Sequence, residues 1–323
     1  MRAPTRRLFL GAQLVLAALV LFFVGRALVE QWQTFRSVPL VAQPRWSAIV
    51  LSGVLVLITY ALLVQTWRVM LHSWNARLSF WKAVRIWSIS NLGRYVPGKV
   101  WQITAMGVMT AREGVSPMVA TGAALLNTIV NVACGIAIVL ALGWNWMDRI
   151  GCEARAVAVL LLVLAGLGVL SLPFTIPRVS ALAARVTGRQ VSLDSPPPRL
   201  VVASIAGNLA AWVLYGLAFM WLVHGVIGRA AGAPSQYVAV YTASYVVGYL
   251  FLFLPGGIGP REGVMVALLT ALGLATNKQA WLVAGASRAW LTVLEIAPGL
   301  LFMAVDAARR GSSTKLPADA SNE

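Results

Sequence analysis

The 323-residue chain is 59% hydrophobic and only 11% charged, with a mean hydropathy of +0.78. A soluble domain carries about 25% charged residues, so this chain lacks the charge to coat a water-facing surface and reads as an integral membrane protein, one domain over residues 1–323. Its charged set is lopsided, 26 Lys and Arg against 10 Asp and Glu. The basic residues flank apolar runs instead of forming one patch, which points to membrane topology and anionic headgroups, not to nucleic acid. Cys134, Cys152, His72 and His224 follow neither a disulfide framework nor a metal-ligand spacing, and no cofactor is expected.

A spanning helix needs about 20 mostly apolar residues. Residues 8–29, 48–70, 118–142, 156–172, 200–223 and 279–305 satisfy that need. The expected class is therefore an all-α polytopic membrane protein with six spanning helices. Arg2, Arg6 and Arg7 precede the first run as they would a signal peptide, but the run is long and no small-x-small cleavage site follows, so it reads as an uncleaved anchor.

Two further apolar segments are broken. Residues 80–92 lead into Gly93-Arg94-Tyr95-Val96-Pro97-Gly98-Lys99 and then 100–110. Residues 237–254 lead into Pro255-Gly256-Gly257-Ile258-Gly259-Pro260 and then 261–274. Proline and clustered glycine stop a helix, and the arms of the first break reach only about 15–20 Å against a hydrocarbon core of about 30 Å. Each segment is expected to be a re-entrant helical hairpin, entering and leaving by one face, with its irregular turn lodged against protein or a wet cavity.

With the N-terminus in the cytoplasm and both hairpins returning to their own side, fifteen Lys and Arg fall on cytoplasmic pieces and seven on outer ones. That agrees with the positive-inside rule, although Arg36 and Arg45 face the disfavoured side. Both termini are then cytoplasmic. The order span, span, hairpin, span occurs twice, over residues 8–142 and 156–305, in opposite topology. Such an inverted repeat with paired Gly/Pro interruptions marks a transporter-type site near the midplane. Ordinary kinked helices are the plainer alternative. Residues 173–199 read as a cytoplasmic linker with Ile176, Val179, Leu182 and Val186 opposite Arg178, Arg185 and Arg189, and residues 306–323 as a polar tail.

Ionisable groups inside a bilayer are costly and face an interior or an aqueous path. Arg94 and Lys99 bracket the Pro97-Gly98 turn, and free N–H groups at the start of the next arm could join them in holding an anion; snorkelling to headgroups is the alternative. Gly256 and Gly257 permit close backbone approach. Arg261 and Glu262 open the following helix, where Glu262 either caps the helix or partners a buried arginine. Arg288 lies deep in the last apolar run. Glu295, two turns on, shares its helix face; an internal pair, or a pair of Arg288 with Glu262, would account for these charges. Arg112-Glu113 reads as a surface pair. Asn127 and Asn131, one turn apart, read as interhelical hydrogen-bonding groups first and cavity lining second. The 13 tryptophans fall largely near span ends, as an interfacial belt does.

The run from Asn91 to Trp101, containing Gly93-Arg94-Tyr95-Val96-Pro97-Gly98-Lys99-Val100-Trp101, resembles the GRYxPGKxW signature of the lysylphosphatidylglycerol synthase transmembrane-region family, also called the flippase-like domain family. Pro255-Gly256-Gly257-Ile258-Gly259-Pro260-Arg261-Glu262-Gly263 resembles its PGGxGxxEG signature, and Ser287-Arg288-Ala289-Trp290 with Pro298-Gly299 is similar to its arginine-bearing last helix. The resemblance implies an inner-membrane protein that moves or handles polar lipids or lipid-linked sugars. Lysyl-lipid synthases of the family carry a large soluble aminoacyltransferase domain; the few residues after the last span here are too short for one.

The leading expectation is a lipid flippase or lipid-handling transporter for an anionic phospholipid or a polyprenyl-phosphate sugar. Arg94, Lys99, Arg261 and Arg288 would compensate the headgroup charge. Rivals are a membrane transferase on lipid-linked substrates, with Glu262 and Glu295 as its only intramembrane acids, and a non-transporting partner of a glycosyltransferase or lipid synthase. No nucleotide-binding motif is present.

Overall fold

The computed structural model describes residues 44–95, 100–147, 153–171, 196–250 and 259–313, with isolated positions between 174 and 181. The expected first span at 8–29, most of the 173–199 linker and the residues after 313 lie outside them. The described elements are helical throughout: α1 (Trp46–His72), α2 (Phe80–Asn91), a 3-10 turn (Leu92–Tyr95), α3 (Val100–Arg112), α4 (Pro117–Gly143), α5 (Ala154–Leu170), α6 (Pro198–Ile227), α7 (Pro234–Leu250), α8 (Pro260–Ala271) and α9 (Asn277–Ser313). The all-helical class matches the expectation.

Four of these helices, α1, α4, α6 and α9, are long and apolar enough to cross a membrane. Each covers one of the expected spans. The 17-residue α5 covers most of a fifth. The broken segments become two helix pairs, α2 with α3 and α7 with α8, whose members pack on each other. The arms α2, α3 and α8 have 12, 13 and 12 residues, which at 1.5 Å per residue gives about 18–20 Å, short of a bilayer core.

Local sequence explains where the helices begin. Pro117, Pro198, Pro234 and Pro260 each open one, because the first turn has no intrahelical partner for the N–H that proline lacks. The start of α9 uses reciprocal side-chain caps: Thr276 N–H donates to Gln279 Oε1 at 3.1 Å, and Gln279 N–H to Thr276 Oγ1 at 3.4 Å. Inside the helices, hydroxyls turn back onto their own backbone, as Thr59 does to Leu55 O at 2.7 Å and Ser244 to Tyr241 O at 2.8 Å.

The helices are apolar both inside and out. Trp67, Met70, Ile86, Val130 and Leu269 are buried, while Val50, Val54, Leu57 and Ile58 of α1 and Leu160, Leu164 and Leu167 of α5 stand exposed. Such an outer face is at home in lipid and untenable in water. Close packing depends on missing side chains. A Cβ at Gly216 would lie 2.3 Å from Val238 Cα, so α6 and α7 touch backbone to backbone there. Trp46, Trp81, Trp101, Trp144 and Trp281 are exposed near helix ends, as a belt requires. Trp67 and Trp212 depart from that pattern and are buried, their indole N–H groups donating to Ala120 O at 3.3 Å and Asn131 O at 2.8 Å.

Candidate functional site

A polar chamber of about 170 Å³ lies inside the bundle, bordered by side chains from every described helix except α5. Among the described residues, its charged lining consists of Arg261, Arg288 and Glu295. Neutral hydrogen-bonding groups come from Asn91, Gln102, Asn127 and Asn131, and aromatic walls from Tyr60, Trp87, Trp212, Tyr215, Tyr245 and Tyr249. In an apolar bundle this concentration of polar side chains marks the place where a polar guest fits.

Arg261 arrives there on the first turn of α8. Gly259 precedes it with φ +97°, a conformation that favours glycine, and Pro260 fixes the next residue. The Gly259 N–H donates to Glu262 Oε2 at 2.7 Å, which holds the helix start and sets the direction of its first turn. Arg261 is only 6% exposed. Its guanidinium lies over the rings of Tyr245 and Tyr241, 4.9 and 5.5 Å from their centroids, where the negative ring faces stabilise a cation withdrawn from water. Its Nη2 has no hydrogen-bond partner among the described residues.

Glu262 does both things its sequence position allows. One carboxylate oxygen caps α8, and the other lies 4.0 Å from Arg288 Nη1 on α9. Arg288 and Glu262 are both almost enclosed, so their attraction is screened less than a surface pair's. Seven residues further along α9, Glu295 accepts a hydrogen bond from the Tyr60 hydroxyl at 3.2 Å. Thus Arg261, Glu262, Arg288 and Glu295, named from sequence, come together from two consecutive helices, α8 and α9.

The other expected site residues cannot be assigned a place. Pro97, Gly98, Lys99, Gly256 and Gly257 lie outside the described residues. For Arg94 the structure describes the backbone, in the 3-10 turn, and not the side chain. The arms beside the first break do meet at the chamber: Gln102 Nε2 donates to Asn91 Oδ1 at 2.7 Å. A Cβ at Gly93 would fall 2.6 Å from the Gln102 backbone nitrogen, so only glycine lets the turn approach α3 this closely.

Asn127 and Asn131 serve in both of the roles weighed for them. Asn131 Nδ2 donates to Asn208 Oδ1 at 2.8 Å, and Asn208 Nδ2 donates to Asn127 Oδ1 at 3.2 Å, joining α4 to α6, while both α4 residues also line the chamber. Glu113 is not a surface ornament. It is tied to Lys82 at 2.7 Å and to Arg85 at 2.9 Å, and Arg85 also reaches Asp306 at 3.2 Å, which joins the base of the α2–α3 pair to the end of α9.

Sequence reasoning missed the aromatic wall. Tyr237, Tyr241, Tyr245 and Tyr249 recur every four residues, a spacing that sets them along one face of α7. Tyr215 stacks on Tyr241 at 5.5 Å and meets Tyr60 edge-on at 6.0 Å, carrying the wall from α7 to α1. A second, apolar cavity of about 200 Å³ lies between α1, α2 and α9 and shares Tyr60, Trp87, Asn91 and Glu295 with the polar chamber.

Residues 10–299 match the model of the family described as the lysylphosphatidylglycerol synthase TM region. The chain belongs to that family, a membrane family with a lipid-related function. No curated protein matches it.

Proposed function

We propose that this chain is a lipid flippase or lipid-handling transporter that draws the anionic headgroup of a phospholipid or lipid-linked sugar into the polar chamber. The observation that carries the reading is Arg261: a cation buried on tyrosine faces at the chamber wall, with one guanidinium nitrogen unmatched. A desolvated guanidinium binds a phosphate oxygen more strongly than an exposed one does. Arg288 adds a second cation to the chamber lining, 4.0 Å from Glu262. Glu262 Oε2 is held by the α8 cap and Glu295 accepts from Tyr60.

In this reading the chain makes six crossings, and the α2–α3 and α7–α8 pairs are re-entrant hairpins of an inverted repeat. Both termini face the cytoplasm and the site sits in the cell inner (plasma) membrane. Arg94 and Lys99 complete the cationic side of the chamber, and a glycosyltransferase or lipid-synthesis enzyme supplies or consumes the lipid. Support comes from the short arms, the loop charge and the family's lipid-related role.

The test is reconstitution in proteoliposomes with headgroup-labelled lipid. Wild type accelerates headgroup movement, and Arg261→Gln and Arg288→Gln, present in equal amount, reduce it by at least about tenfold, as loss of one charge-assisted hydrogen bond requires. Variants that move lipid as fast as wild type would overturn the proposal.

A further inference from the structure

Among the described residues, Glu295 is the one carboxylate that lines the polar chamber. It lies two turns from Arg288 on α9, so an anion held by Arg288 sits about 10 Å away from it. Its other side meets the apolar cavity, where Leu57, Val64 and Leu294 offer its charge no solvation. For two like charges at that separation and an effective dielectric of about 20, the repulsion changes a binding constant on the order of tenfold. Fixed cations elsewhere in the wall leave this pairwise repulsion unchanged. Neutralising Glu295 removes it, and a proton is sufficient to do so.

The surroundings of Glu295 accommodate that proton. The Tyr60 hydroxyl donates to its Oε1 at 3.2 Å. A phenol hydroxyl also accepts, so the contact survives with its direction reversed once the carboxyl is protonated. Glu262 is held differently, with Oε2 on the Gly259 N–H at 2.7 Å and Oε1 4.0 Å from Arg288 Nη1. A proton there would weaken the helix cap and cancel the attraction to Arg288.

The other ionisable groups that face this part of α9 come from every neighbouring element. They are Tyr60 on α1, Tyr215 on α6, Tyr245 and Tyr249 on α7, and Arg261 on α8. Phenols and guanidiniums as classes keep their protons near neutral pH. From α2, Arg85 meets α9 farther along, at Asp306, and the 3-10 turn carries Arg94 and Tyr95, whose backbone alone is described.

We infer that the chamber takes up its anionic guest together with a proton carried on Glu295, so that a proton gradient drives the headgroup. Protonating Glu295 favours the guest, and the guest favours protonation by the same factor; affinity therefore rises as pH falls. This inference rests on the proposed lipid-handling role and adds its energy source.

The test uses the full chain in detergent with phosphatidylglycerol, whose phosphodiester keeps a single charge throughout the pH range used. Its binding constant, read by native mass spectrometry, should be about tenfold larger at about pH 5.5 than at about pH 8.5. Mixing lipid with weakly buffered protein should show net proton uptake to a pH-sensitive dye. Glu295→Gln keeps a hydrogen-bonding group for Tyr60 and imitates the protonated carboxyl. At about pH 8.5 it should bind as tightly as wild type does at about pH 5.5, without pH dependence or proton uptake. A merely structural role does not produce that gain. His72 and His224 remain in this variant, so a pH dependence arising from them would persist there. In proteoliposomes, an imposed proton gradient should speed headgroup movement by wild type and leave Glu295→Gln unaffected.

A wild-type affinity that changes by less than about twofold over this range, or a Glu295→Gln profile parallel to it, overturns the inference and leaves the lipid-handling role standing. If the variant does not fold, lipid binding by wild type without proton uptake overturns the inference by itself. Absence of lipid binding at either pH overturns both.

Discussion

Two groups of charges in this molecule each combine two cations with two anions and are placed differently. In the cluster of Lys82, Arg85, Glu113 and Asp306, two cations meet two anions and every charge has a partner at 3.2 Å or less. Lys82 is more than half exposed, so water shares the load. In the chamber, Arg261 rests on aromatic rings with a nitrogen unmatched, and Arg288 stands 4.0 Å from its carboxylate. The first cluster pairs cation with anion and ties chain segments together; the second brings Arg261 and Arg288 to the wall of the polar chamber. Charge count alone does not separate them. Placement against the chamber does.

The largest expected effect lies in the chamber. Arg261→Leu removes the cation but keeps a side chain against Tyr241 and Tyr245, and lipid retention should fall by about tenfold to a hundredfold. Arg261→Lys should recover part of that loss, because an ammonium retains the ring contact without the planar fork. Lipid mass spectrometry on equally folded variants reads both, and equal retention by Leu and Lys variants would break the contrast.

Glu262→Gln should come next. It weakens the cap on Gly259 and removes the counter-charge of Arg288, with a stability loss of about 1 kcal/mol from the cap, read as a lower midpoint in thermal unfolding. Arg85→Met should cost about 1 kcal/mol or less, since the cluster is partly solvated, and should leave lipid retention unchanged. A large loss of retention in Arg85→Met would show that the peripheral cluster also shapes the chamber. Lys82→Ala should be the mildest, within about 0.5 kcal/mol in the same melts.

Much of the fold was legible because bilayer physics is coarse. Length and apolarity locate α1, α4, α6 and α9, and proline with glycine locates the ends of α2 and α8. Arg261, Glu262, Arg288 and Glu295 stood out because charge in an apolar run is expensive. The partners they use did not. Tyr60 reads as one more aromatic in an apolar helix, and its bond to Glu295 crosses 235 residues. Asn91 and Gln102 look like ordinary polar residues on either side of a turn until the arms fold together. The four-residue recurrence of tyrosine in α7 was a readable signal, hidden because aromatic residues are usually weighed for hydrophobicity before their faces are weighed for cations.

Four side chains, Tyr60, Trp87, Asn91 and Glu295, line both the polar chamber and its apolar neighbour. A molecule that shifts this wall from one side alters the room available on the other. Occupancies of the two compartments are then thermodynamically linked, and any strengthening or weakening one exerts on the other must be returned in equal measure. Under the proposed function, a hydrocarbon trapped in the apolar compartment would act as an effector of headgroup affinity while touching no headgroup at all.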